Sequence, residues 1–364
     1  MDNEILEVGL YLHIPFCDSK CGYCAFNSKT DKNHLKSIYM QKISEYLEDK
    51  LKSLQENNLI KIISVYIGGG TPSVVESHLY NDVFDRFLPF LEENAEITIE
   101  ANPNHLSFDW LYDMRSLGVN RLSLGVQSFD SQKLAFLERE HNNKNTWIAI
   151  DAIQKAGINN LSIDLIYGTP LCTESLLEKE LKIVLDLPLT HLSAYHLSFE
   201  PGSRFYKEKE QVYMESQKYF EGEFGGFLSI GHFVAAHLEK FLHYEVSNYG
   251  RISAHNLHYW KGGDYIGIGA GAVGCINDVR TSMPNSIERF LEKFSEQKEV
   301  LTTKDKELEH LFLGFRSCVG VEVNKIPNPK NLALLLGEKV LYQKDNRVYA
   351  KDYFLGDEIA LFLS

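Results

Sequence analysis

Three of the chain's six cysteines, Cys17, Cys21 and Cys24, fall within eight residues, directly after an apolar run over residues 8–14 that reads as a strand. Thiolates this close on one loop suit an iron–sulfur cluster, and Gly22 lets the backbone wrap a compact inorganic core. A four-iron cubane has one iron more than three cysteines can ligate, so one corner stays open to a substrate or cofactor. Zinc is the competing metal, because His13 with the three cysteines makes a four-ligand structural set. A disulfide framework fits poorly, since the spacing is dense and no secretory signal precedes it.

Other chemistry-bearing residues stand at the ends of strand-like runs. Residues 61–67 are β-branched and run into Gly68-Gly69-Gly70-Thr71-Pro72; residues 96–101 carry Glu100; residues 121–126 lead to Gln127; residues 161–167 end at Tyr167-Gly168; residues 191–199 close at Glu200-Pro201-Gly202. Helical stripes lie between them, over 31–57, 106–117, the stretch to Ala156, and 174–185. Six β/α units of this regularity predict an α/β fold: a parallel sheet of apolar strands curled into a partial (β/α)6 barrel. In such barrels chemistry collects at the carboxyl ends of the strands, where all of these residues fall. The triple glycine lacks the lysine of a nucleotide-triphosphate loop; it allows a ligand to approach the backbone, with the Thr71 hydroxyl beside it.

The 364 residues suffice for one large domain and a small one, with 44% hydrophobic and 24% charged residues as in ordinary globular proteins. A net charge of −13 without a basic stripe argues against nucleic acid as partner. The N-terminus, Met1-Asp-Asn-Glu-Ile-Leu-Glu7, lacks the features of an export signal, and no run of about 18 apolar residues occurs, so the expectation is a cytoplasmic, reducing location.

The Cys-x3-Cys-x2-Cys spacing, preceded by Tyr11-x-His13-Ile-Pro-Phe16, resembles the radical S-adenosylmethionine (SAM) superfamily, and within it the oxygen-independent coproporphyrinogen III oxidase-like group. The resemblance implies a [4Fe–4S] cluster on Cys17, Cys21 and Cys24 and a SAM site. It assigns the methionyl end of SAM to Gly69, Gly70 and Thr71, further cofactor contacts to Glu100, Gln127 and Asp164, the carboxylate partner to Arg139, and contacts near the cluster to Tyr11 and Tyr23, with His196 as a weaker match. A sulfonium zwitterion has use for such a set: a cation for its carboxylate, and carboxylates for its ammonium and ribose hydroxyls. A solvated helix end is the alternative for Arg139, which Glu138 and Glu140 flank.

The oxidase branch usually has another cysteine two places after the third; here that position is Phe26. Cys24-Ala-Phe-Asn-Ser28 instead is similar to the haem chaperone branch, although Ala25 replaces that branch's commonest aspartate. His255-Asn256-Leu-His-Tyr259-Trp260 likewise resembles its haem-binding signature, with His255 as the first choice of iron ligand, His258 as its rival, and Asn256, Tyr259 and Trp260 beside the porphyrin. An aromatic segment that merely packs the barrel mouth is the alternative. The glycines of residues 264–274 are expected to form a loop near the cofactor.

The resemblance therefore implies a protein that binds haem as cargo and passes it to a recipient haemoprotein. The alternative is an enzyme, by oxidative decarboxylation of coproporphyrinogen III or another radical reaction. A flavodoxin- or ferredoxin-type electron donor, a membrane-associated recipient and a homodimer are left open. Residues 1–280 are expected to form the barrel, and 281–364 a small α+β cap over its opening, with helices over 286–294 and 304–315 and a hairpin over 339–349. Cys172, Cys275 and Cys318 read as buried free thiols.

Overall fold

The computed structural model describes residues 4–208, 214, 225–292 and 296–364. Its first part alternates strand and helix: β1 Glu4–Ile14, α1 Lys36–Gln55, β2 Asn58–Gly69, α2 Asn81–Phe87, β3 Leu91–Ala101, α3 Phe108–Leu117, β4 Arg121–Gln127, α4 Ser131–Phe136, α5 Asn143–Lys155, β5 Asn160–Tyr167, α6 Glu174–Asp186, β6 His191–His196 and α7 Arg204–Glu208. Strands β1 to β6 pair in parallel in sequence order. This is the partial (β/α)6 barrel expected.

Helix boundaries follow local chemistry. The Ser107 hydroxyl accepts the Trp110 N–H to start α3, and Gly118, at φ 118°, ends it. Asn142 and Asn145 form a reciprocal capping box on α5, and Thr173 caps α6. α1 buries Tyr39, Met40, Ile43, Leu47 and Leu51, which face the same core as the outward side chains of the strands, Val8, Leu10 and Leu12 of β1 and Leu122, Leu124 and Val126 of β4 among them. Strand edges differ from expectation. β6 stops at His196 rather than 199, because the chain beyond Leu197 leaves the sheet to pack over the cysteine loop, where the Phe205 N–H reaches the Gly22 carbonyl at 2.8 Å.

The large sheet continues past the sixth strand. Antiparallel β7 His243–Glu245 and β8 Asn248–Gly250 extend it beside β6, while β9 Tyr265–Ile268 joins β1 in parallel, followed by β10 Val273–Ile276, β11 Val279–Ser282 and β12 Gln297–Val300. The expected division after residue 280 therefore cuts strand β11. Ile287 and Phe290 belong to the main core, and a separate core begins at Leu311, joined by Phe315, Val321, Leu341, Val348 and Leu363.

In that C-terminal unit a helix spans Thr303–Phe315 and a hairpin pairs Leu341–Lys344 with Arg347–Ala350. The helix expected over 286–294 is seen as Ile287–Leu291, and residues 293–294 of it lie outside the described residues. The unit packs on β7 and on the helix Ala254–Trp260, with Val246 N–H to Arg316 O at 2.9 Å, Cys318 N–H to Tyr244 O at 2.7 Å, and the Arg316 guanidinium 5.9 Å from the Trp260 ring. Among the described residues it supplies none that line the cavity at the strand ends, so it braces the barrel's side rather than closing that mouth.

Candidate cluster and cofactor site

The cysteine loop is pinned without help from any metal. Lys29 N–H donates to Pro15 O at 2.7 Å and Cys17 N–H to Lys29 O at 3.0 Å, so residues 15–29 return to the end of β1. All three thiols are free. Cys17 is buried, and its sulfur lies 3.4 Å from the Thr71 hydroxyl; Arg139 points Nη1 at the Cys21 sulfur, 3.5 Å away. Burial pushes the Cys17 and Cys24 thiols up, with the neighbouring cysteines adding to it. Protons there are held until a cation replaces them.

This donor set fits a cluster better than zinc. His13 is not free to ligate: its Nδ1 meets the Tyr11 hydroxyl at 2.9 Å and its Nε2 the Asn27 carbonyl at 2.9 Å. Among the described residues no three His, Cys, Asp or Glu side chains converge on one ion position. Zinc requires such convergence, whereas a cubane spreads its ligands over separate irons.

Gly22 shows how tightly the loop is held. A Cβ there would stand 1.8 Å from the Phe205 ring, which is fully buried with Phe136 and Phe199 around it. Gly22→Ala is thus expected to displace either the loop or α7 and to reduce iron retained after anaerobic reconstitution severalfold; wild-type iron content would show that the loop adapts.

The three cysteines open into a cavity of about 390 Å³ at the carboxyl ends of the strands, within the range of small-ligand sites. Its lining includes Tyr23, Gly69, Gly70, Thr71, Glu100, Gln127, Arg139, Asp164 and His196. So residues scattered over 17–196 in the sequence meet at one place. Tyr11 is the exception among the expected contacts: it stands behind the lining, hydrogen-bonded to His13 and stacked 6.3 Å from Tyr66. A larger depression of about 660 Å³, around His232, His243, Tyr353 and Phe354, contains none of the expected residues.

Glycines at 69 and 70 are required by packing. Gly69 has φ 118°, and a Cβ on it would lie 2.7 Å from the His13 ring; one on Gly70 would lie 2.6 Å from the Phe16 carbonyl oxygen. The Gly69 N–H donates to Glu100 Oε2 at 3.1 Å, and the Tyr66 hydroxyl donates to Oε1 at 2.7 Å. Burial, the largest influence, pushes the Glu100 carboxyl up to about 7, and the Tyr66 and Gly69 donors work against that rise. Asp164 is also pushed up by burial, against donors from Ser193 and Ser123. Arg139 is no solvated helix end: its Nη2 is fixed on the Gly125 carbonyl at 2.8 Å and it faces the cavity.

Gln127 adopts φ 65°, unusual for a residue with a side chain, at a register shift between β4 and β5. Behind it Glu180 accepts from the Ser128 hydroxyl and from Phe129 N–H at 2.8 Å, and pairs with Lys133 at 2.6 Å. A buried ion pair thus fixes the turn that presents Gln127.

Several lining residues escaped the sequence reading: Tyr66, Arg121, Ser123, Ser193 and Tyr195. Their signal is period-two alternation. In β4, Arg121, Ser123, Gly125 and Gln127 face inward between the buried Leu122, Leu124 and Val126. The strands are therefore apolar on one face only, and the barrel interior is polar.

The segment expected to bind haem is the helix Ala254–Trp260. It sits below the cavity, tied to the middle of β3 by Ser253, whose hydroxyl donates to Glu96 at 2.8 Å. His255 is 1% exposed, with Nδ1 2.9 Å from the Ser64 hydroxyl, and burial pushes it down to about 3. The ring is thus enclosed, and among the described residues its Nε2 has no hydrogen-bond partner. His258 has Nε2 on the Asp264 carbonyl at 2.6 Å. Asn256 lines the cavity itself, and Tyr259 stacks edge-on to His255. Residues 264–274, expected as a loop, form β9 and lead into β10, and the turn between the two strands reaches the cluster loop through Asn27, whose side-chain amide donates to Ala270 O at 2.8 Å.

Residues 11–182 match the family model described as Radical SAM superfamily. Proteins named heme chaperone HemW are similar over most of their length: 34% identical in Buchnera aphidicola subsp. Schizaphis graminum, covering 86% of this chain and 84% of that one, and 31% identical in Bacillus subtilis, covering 96% and 97%. The solved coproporphyrinogen III oxidase HemN of Escherichia coli superposes with a TM-score of 0.79 over 99% of this chain and 90% of that one, at 20% identity, a likeness of fold. With the cysteine loop, the glycine strip and the polar barrel interior in one cavity, the chain belongs to the radical SAM superfamily and, within it, to the HemW family.

Proposed function

We propose that this chain is a haem chaperone: it carries a [4Fe–4S] cluster on Cys17, Cys21 and Cys24, holds SAM in the adjoining cavity, binds haem, and passes it to a recipient haemoprotein. The observation that supports this most is the meeting of the three free thiols with Thr71, Glu100, Gln127, Arg139 and Asp164 in one cavity, in a chain whose relatives carry the name heme chaperone. Bound there, the cluster would supply one electron to the SAM sulfonium. The residues do the rest by position. Arg139 offers a cation to a carboxylate, Glu100 and Asp164 offer acceptors to an ammonium or ribose hydroxyls, and Gly69 and Gly70 let the ligand lie close to the backbone. A one-electron donor of the flavodoxin or ferredoxin type and a haemoprotein recipient complete the scheme.

Haem itself is assigned to the neighbourhood of the 256–260 segment rather than to the His255 ring, since Asn256 to Trp260 are all partly exposed. The test is anaerobic. Cluster-loaded protein titrated with haem is expected to give a saturable Soret change near one equivalent, and incubation with coproporphyrinogen III, SAM and reductant is expected to give no decarboxylated product. Conversion of coproporphyrinogen without any haem-induced spectrum would transfer the chain to the oxidase reading.

A further inference from the structure

We propose that His255 is a positioning residue for the cofactor cavity: it holds Tyr66, and through Tyr66 the Glu100 carboxylate, where a ligand's ammonium or hydroxyl groups meet it. This rests on the reading of the cavity as a SAM site and gives the conspicuous histidine of the 255–260 segment a task other than iron ligation.

The geometry is continuous from floor to ligand wall. The helix Ala254–Trp260 closes the amino-end side of the barrel, anchored because Glu96 Oε1 accepts both the Ser253 hydroxyl, at 2.8 Å, and the His255 N–H, at 3.4 Å. The imidazole then inserts between strands. Its Cε1 would be 3.4 Å from a Cβ on Gly9 of β1, so Gly9 provides the space, and Ser64 of β2 holds Nδ1 at 2.9 Å. The ring stacks on Tyr66 with centroids 5.3 Å apart at 30°, and Tyr259 packs edge-on at 4.6 Å from the other direction. Tyr66 in turn contacts Tyr11 and gives its hydroxyl proton to Glu100 at 2.7 Å. Glu100's second oxygen takes the Gly69 N–H from the glycine strip. One side chain below the cavity thus fixes the aromatic that fixes the carboxylate.

His255 is suited to this and poorly suited to titrate. Burial first, then His258 and Arg121, push it down to about 3, so it stays neutral at working pH and carries no charge into the floor. Its value is shape plus one hydrogen bond. A fixed aromatic stack keeps the Tyr66 hydroxyl preorganised, which spares the site that ordering cost when a ligand binds.

Glu100 supplies a readout that general loosening of the fold would not move. The groups facing it are Tyr66 and the Gly69 N–H from β2, Tyr11 from β1, Arg121 from β4, Asp164 from β5 and Tyr195 from β6. Its carboxyl is held at about 7, above the ordinary carboxyl value. The ligand-free fold is therefore favoured by the bound proton, a contribution fully present below the ordinary carboxyl range and lost as pH rises through about 7. A ligand ammonium has the opposite demand, so affinity is expected to rise over the same window. Losing the Tyr66 donor removes an influence that lowers this carboxyl and shifts the rise to higher pH.

The experiment uses full-length, cluster-loaded protein as wild type, His255→Ala, and His255→Phe, which keeps the stacking surface if the smaller side chain unfolds the floor. SAM affinity is measured from pH 6 to 9 by calorimetry, and haem affinity by absorbance. His255→Ala is expected to weaken SAM about tenfold, the scale of a lost packing and hydrogen-bond support, and to move the pH midpoint up by roughly one unit. His255→Phe should recover most of the SAM affinity. Wild-type SAM affinity and midpoint in a folded His255→Ala protein would overturn the proposal, as would loss of haem binding alone. Wild-type protein that binds no SAM at all would instead refute the cavity reading on which it rests.

Discussion

Cys21→Ala is expected to lose essentially all cluster iron, and Cys17→Ala and Cys24→Ala likewise, while the fold of the metal-free protein survives. Both halves of this result follow from the geometry. Each thiol is the sole protein ligand available to its iron, because His13 is occupied on both ring nitrogens and among the described residues no other ligand set converges there. The loop itself is closed by backbone bonds between residues 15–17 and 29, and Phe205 grips Gly22 from outside, so its closure rests on contacts other than the sulfur atoms. Iron and acid-labile sulfide measured on anaerobically reconstituted protein should fall from about four per chain to near zero in each variant, with unchanged circular dichroism. Zinc in place of iron, lost again in His13→Ala, would instead support the four-ligand structural site.

Lys133→Met should produce the largest change in stability. Lys133 and Glu180 are 1% and 2% exposed and pair at 2.6 Å, and Glu180 also receives Ser128 and Phe129. Removing the lysine leaves a carboxylate buried without its cation, a loss of about 3–5 kcal/mol, whereas the pair as a whole is worth much less than that. Replacing both residues, Lys133→Met with Glu180→Gln, is therefore expected to recover part of the loss. Because the pair holds the turn after Gln127, whose φ of 65° the surrounding structure must enforce, Lys133→Met should also weaken ligand binding in protein that remains folded. Chemical denaturation of the metal-free chain gives the first quantity and calorimetry the second. A change below about 1 kcal/mol would mean that water or a shifted neighbour replaces the lysine.

Much of this was legible in the sequence, and what was not has identifiable causes. Strand-to-loop transitions stood out because glycine, proline and ligand-type residues follow apolar runs, which is why the cysteine loop, Gly69 to Thr71, Glu100 and Gln127 were found; Arg139 and Asp164 came from the family resemblance, and all of them line one cavity. The polar interior was missed because Arg121, Ser123, Ser193 and Tyr195 alternate with leucine and alanine in strands otherwise read as apolar; a period-two count over 121–127 exposes them. The position of His255 was beyond local reading. Its neighbours Gly9, Ser64 and Tyr66 lie nearly two hundred residues or more away in sequence, and only the closed curve of the barrel brings them to it. The expected boundary at residue 280 falls inside β11, because β9 pairs with β1 and β10 to β12 continue that sheet, a long-range pairing that local patterning does not reveal.

One spectrum tests the central claim, that three thiols hold a cluster whose open corner faces the cofactor cavity. Electron paramagnetic resonance of the reduced protein, recorded before and after addition of SAM, is predicted to show a [4Fe–4S]⁺ signal whose g-values shift on binding. A signal indifferent to SAM, or no cluster signal in oxygen-protected protein, would contradict it.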